Sequence, residues 1–135
     1  MPKQRTSNKD LLEQAQQLEA EDRLPEAAGY YTKVITADPL NTHAYNRLMI
    51  IFRKQKEYRK ELTVINKAIK TYEDSMRQEQ QAWLKNNRKM ARLSKALAHS
   101  LGLIDPKGKP LHEDRMVSTW RKRRELVTQK LKRST

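Results

Sequence analysis

The side chains of this chain that could do chemistry are overwhelmingly cationic. Arg121, Lys122, Arg123 and Arg124 stand consecutively, followed by Lys130, Lys132 and Arg133, and a second row comprises Lys85, Arg88, Lys89, Arg92 and Lys95. Such rows attract phosphates in a salt-dependent, sequence-independent way, which makes them a candidate polyanion face. Trp120 and Trp83 could stack on bases beside them, but each falls on an apolar stripe and is expected in the core. Four consecutive cations cover all sides of a helix, and such a run is most often solvated. Catalysis has less to work with. His43, His99 and His112 are scattered, no pair stands at ligand spacing on one helix, and there is neither cysteine nor a phosphate-cradling glycine loop. Glu113 and Asp114 precede Arg115 near an expected helix start, where acidic side chains favour the helix dipole and capping is a sufficient role. No enzyme activity, metal or cofactor is expected.

The charge is unevenly spread. The 135 residues carry a net charge of +13, yet residues 1–41 hold 5 Lys/Arg against 7 Asp/Glu, so the first part is mildly acidic and the remainder basic. That polarity suits an acidic peptide, a nucleic acid, or head-to-tail self-association through the acidic end. Hydrophobic residues make up 36% and charged residues 33%, which implies helices wet on their outer faces. No apolar run approaches the roughly 18 to 20 residues that cross a bilayer, and no signal-peptide pattern opens the chain, so a cytoplasmic protein without a membrane partner is expected. Zero cysteines exclude disulfides and fit a reducing compartment.

The elements that must position these cations follow from a repeat. From Asn8 to Ser75 the apolar pattern occurs twice at a spacing of 34, pairing Leu11 with Tyr45, Ala15 with Met49, Leu18 with Phe52, Tyr31 with Ile65, Val34 with Ala68 and Ile35 with Ile69. Such a period marks a helix-turn-helix unit that buries its apolar face only against a neighbour. Residues 1–7 are expected to be flexible. Ser7 or Asn8 caps a first helix, Pro25 opens the second, Pro39 ends it, and Asn41 or Thr42 caps the third. Neither Pro nor Gly occurs between Pro39 and Gly102, so either the fourth and fifth helices are divided by a soft break near Asp74 and Ser75 or the two are continuous. The fifth helix presents Trp83, Met90, Leu93, Leu97 and Leu101 on one stripe, with Gly102 as its cap. After a loop from Leu103 to Pro110, a last helix carries Met116, Val117, Trp120, Val127 and Leu131. The expectation is all-α: about six helices in three antiparallel hairpins, with repeats at 8–41 and 42–75 and a third hairpin over 76–135.

These two units resemble the tetratricopeptide repeat. One copy reads Leu11, Gln14, Ala15, Leu18, Ala27, Tyr31, Val34, Pro39; the other reads Tyr45, Leu48, Met49, Phe52, Glu61, Ile65, Ala68, Glu73. The second copy departs where Met49 and Glu61 replace small residues and Glu73 replaces the proline, which a slightly opened hairpin and a longer fourth helix would accommodate. The resemblance implies a right-handed superhelical stack with a divergent, capping third hairpin. It also implies a peptide groove lined by the first helix of each repeat, which directs His43, Asn46, Arg47, Ile50, Arg53 and Lys54 inward, joined by Leu84 and Arg88. Guanidinium groups there would select a carboxylate-rich or phosphorylated segment. The family's clamp for chaperone C-termini is not reproduced: Leu12, Gln16, Arg47, Arg77 and Gln81 stand at its positions, and Arg77 alone keeps the character. An adaptor or scaffold that binds an acidic protein segment is therefore expected first. A nucleic-acid-associated protein using the two basic rows, or a self-assembling repeat protein, stands behind it.

Overall fold

The computed structural model describes residues 7–86, 88–101 and 115–133. They form six α-helices and, among the described residues, no strand: α1 Asn8–Ala20, α2 Leu24–Ala37, α3 Thr42–Lys54, α4 Tyr58–Asn86, α5 Arg88–Ser100 and α6 Arg115–Arg133. Expectations for residues 1–6, the cap at Gly102, the loop to Pro110, His112 and the pair Glu113 and Asp114 fall outside the described residues, as does the side chain of Met90.

Backbone chemistry reproduces the 34-residue period at the starts and exits of α1 and α3. The Ser7 hydroxyl accepts from the Asp10 amide at 3.1 Å, and 34 residues on the Asn41 side-chain oxygen accepts from the Ala44 amide at 3.0 Å. Each side chain satisfies one of the N–H groups that a helix start leaves unpaired. The exits match too. Asp22 (φ 60°) and Lys56 (φ 58°) take the left-handed conformation, and the following amides of Arg23 and Glu57 reach back to the carbonyls of Leu18 and Phe52 at 2.9 and 2.8 Å. This is the Schellman stop, built here without glycine. Pro25 sits in the first turn of α2, where its missing N–H removes no bond.

Successive helices pack as α1 on α2, α2 on α3, α3 on α4, and then α4 on α6. The core runs through this series: Ala15, Ala27, Tyr31, Val34 and Ile35 are buried in the first unit, and Tyr45, Leu48, Met49, Ile65, Ala68 and Ile69 in the second. Val117, Trp120 and Val127 continue it from α6. Trp120 meets Tyr45 and Tyr72 edge-on, with centroids 6.1 and 5.9 Å away. Aromatic edges placed this way add to the area they bury.

α4 runs through Asp74 and Ser75 without a break, for 29 residues, because nothing in that stretch removes an amide donor or favours a left-handed residue. This is the longer fourth helix of the two alternatives, and the soft break near Asp74 and Ser75 is absent. One feature differs from the expectation: α6, rather than α5, lies along α4. One residue separates α4 from α5, too short a link for two helices to fold back on each other, and among the described residues α5 has α4 as its only substantial neighbour. Its expected core stripe is therefore outside: Leu93, Leu97 and Leu101 are 74%, 60% and 62% exposed. Trp83, in the last turn of α4, is half-exposed.

Candidate interaction surfaces

The residues expected to line a groove along α3 divide between two sides of that helix, and most are already engaged. On the α1 side the Arg47 guanidinium binds both oxygens of the Glu19 carboxylate, which also accepts the Tyr31 hydroxyl at 2.9 Å. His43 shares a 3.3 Å hydrogen bond with Gln16 and meets the Tyr31 ring edge-on. Together with Ala20 these side chains line an open hollow of about 320 Å³. An incoming carboxylate there would compete with Glu19 for Arg47, so the hollow offers no free cation for it. Burial pushes the hydroxyls of Tyr31 and Tyr45 above the ordinary tyrosine range, and both serve as donors, Tyr45 to the Pro39 carbonyl at 2.8 Å.

On the other side α6 covers the remainder. The Trp120 indole N–H donates to the Asn46 side-chain oxygen at 2.8 Å, and the Asn46 amide faces the Met116 sulfur at 3.7 Å. Arg53 approaches the Glu61 carboxylate at 3.3 Å. Glu61 is fully buried and receives two further bonds from Arg123, at 2.7 and 3.0 Å. A lone carboxylate in that position would cost several kcal/mol to desolvate, so it must carry cationic partners. Of the expected groove set, Ile50 is partly buried, whereas Lys54, Leu84 and Arg88 are exposed.

The basic run of α6 is mostly spent on the fold. Arg121 bonds Glu73 at 2.5 Å, Arg124 reaches Asn66 at 3.4 Å, and the Lys130 ammonium stands 5.0 Å above the Tyr58 ring. Lys122 faces solvent. The α6 side of the candidate polyanion face is thus largely neutralised or held against protein.

Glu61 and Glu73 were visible in the sequence only as departures from the first unit. Glu61 occupies the position of the buried Ala27, and Glu73 that of Pro39. These two acids are where α6 attaches. The signal was an acidic residue at a core position, which implies a cation brought in from elsewhere.

The other row is different. Lys85 at the end of α4, and Arg88, Lys89, Arg92 and Lys95 on α5, are all exposed, and residues 80–101 contain no Asp or Glu. No ion pair involves any of the five among the described residues. No helix of those residues is long and apolar enough to cross a membrane. No family model, curated protein or solved structure matches the chain.

Proposed function

We propose that this chain is a non-enzymatic adaptor of tetratricopeptide type that binds an acidic protein segment, and that the segment is held by the cations of α5 and the end of α4. One observation carries the choice of site. Arg47 and Arg53, the two α3 arginines expected to bind in a groove, already hold Glu19 and Glu61, while Lys85, Arg88, Lys89, Arg92 and Lys95 hold no acid among the described residues. Free guanidinium and ammonium groups are the ones that gain a new charge-assisted hydrogen bond on binding. The caps and left-handed exits that recur at 34 residues support the repeat reading. In that reading α6 takes the place that the first helix of a third repeat would hold, antiparallel to α4, as the pairs Trp120 with Tyr72 and Lys130 with Tyr58 indicate.

The test is a titration of the full chain with fluorescent polyglutamate. Charge reversal at two sites, Arg88→Glu with Arg92→Glu, is expected to weaken binding at least tenfold, while Arg47→Gln leaves it unchanged. The opposite ranking would return the site to the α3 groove. An oligonucleotide that binds much more tightly than polyglutamate of equal charge would replace the acidic protein with nucleic acid.

A further inference from the structure

The cations of α5 form a line rather than a patch. Arg88, Arg92, Lys95 and His99 follow one another at intervals of four, three and four residues, which sets all four within about 60° of arc on one side of the helix. Leu93 and Leu97 take the far side, with Lys89 in line with them. The line is narrow and long, rising about 16 Å from Arg88 to His99. Its four side chains are exposed, and no large apolar residue falls among them. Residues 80–101 supply no carboxylate, so the charge of the line is unmet along α5 itself.

Resting on the acidic-partner reading above, we infer that the bound segment is an extended stretch of protein chain that runs lengthwise along this line, with acidic side chains on alternate residues turned toward Arg88, Arg92, Lys95 and His99. In an extended chain residues i, i+2 and i+4 face the same way, at intervals of about 6.7 Å. The cations rise by about 6, 4.5 and 6 Å from one to the next, and their long flexible stems take up the difference. About five extended residues then span the line, so three carboxylates meet two guanidinium groups, an ammonium and an imidazole N–H. An acidic helix would match the spacing as well, but helices pair through an apolar seam, and this side of α5 has none. Single-stranded nucleic acid is held by stacking rings as well as by cations, and no Trp, Tyr or Phe lies on the line. Like charges three and four residues apart, Arg92 with Lys95 and Arg88 with Arg92, weaken a helix, so their neutralisation by the segment would also stabilise α5.

The experiment titrates the full chain with three fluorescent probes of equal charge: a peptide alternating glutamate with threonine, an alanine-rich helical peptide with glutamates every third or fourth residue along one stripe, and a single-stranded oligonucleotide. The alternating peptide is expected to bind at least fivefold more tightly than either of the others. Arg92→Gln with Lys95→Gln should weaken it at least tenfold, while Leu93→Gln with Leu97→Gln, on the far side, leaves it unchanged. All four side chains are exposed, so both variants keep their fold, as far-ultraviolet circular dichroism would verify. Equal or tighter binding of the helical peptide overturns the extended partner and leaves the acidic-partner reading in place. So does binding that ignores the Arg92 and Lys95 changes or is lost with the leucines. If neither peptide binds, or the oligonucleotide binds most tightly, both fall.

Discussion

α5 and α6 are both basic amphipathic helices, and their fates differ. α6 buries Val117, Trp120 and Val127, whereas α5 leaves Leu93, Leu97 and Leu101 in water. Apolar content does not separate them. The distinction lies on α4, whose first part offers Glu61 and Glu73 to Arg123 and Arg121, while α4 beyond Glu79 and all of α5 carry no acid. A basic helix docks where the opposing surface supplies both an apolar seat and carboxylates at its edges. α5 lacks that surface within the described residues.

The comparison breaks most readily on the α6 side. Trp120→Ala removes the largest fully buried side chain and its bond to Asn46, and is expected to cost about 4 kcal/mol in a denaturant melt. Glu61→Gln leaves the largely buried Arg123 guanidinium facing a neutral amide, while Arg53 keeps partial access to water, for an expected loss of about 3 kcal/mol. Pairing Glu61→Leu with Arg123→Leu should recover much of that loss, since the uncompensated charge goes with its partner.

An alkaline effect follows from the two buried tyrosines. Their folded-state pKa values are raised, so their stabilising share is fully present below the unfolded-chain value of about 10 and is lost as pH rises through the folded values. Tyr31→Phe should therefore flatten the decline of stability above that pH, read from melts at graded alkalinity. On the α5 side the smallest change is expected. Leu93→Gln with Leu97→Gln should move stability by no more than about 0.5 kcal/mol, because neither side chain is buried. A loss several times larger would mean that α5 is docked after all.

Much of the stack was legible from residue types because its determinants are local. Ser7, Pro25, Pro39 and Asn41 act on backbone groups within a few residues, and the apolar period specifies which faces turn inward. The stripe on α6 was read correctly for the same reason: Val117, Trp120 and Val127 are buried, with Met116 and Leu131 partly so. The stripe on α5 was not, since periodicity reports that a face is apolar and is silent on whether a neighbour covers it. The engagement of the cations was not legible either. Arg47, expected in the groove, meets Glu19 across 28 residues, and Arg123, from the basic run of α6, meets Glu61 across 62. Whether a cation is free depends on such distant pairs, which no local pattern encodes.

The most direct test of the contrast between the two helices is amide hydrogen exchange along the intact chain, without and with polyglutamate. Without it, α6 should be protected to nearly the degree of α3 and the first half of α4, while α5 exchanges close to the rate of an isolated helix. Added polyglutamate should then slow exchange in α5 and leave α6 as it was. Protection of α5 equal to that of α6 in the free protein would contradict the account, because it would show the leucine face already covered.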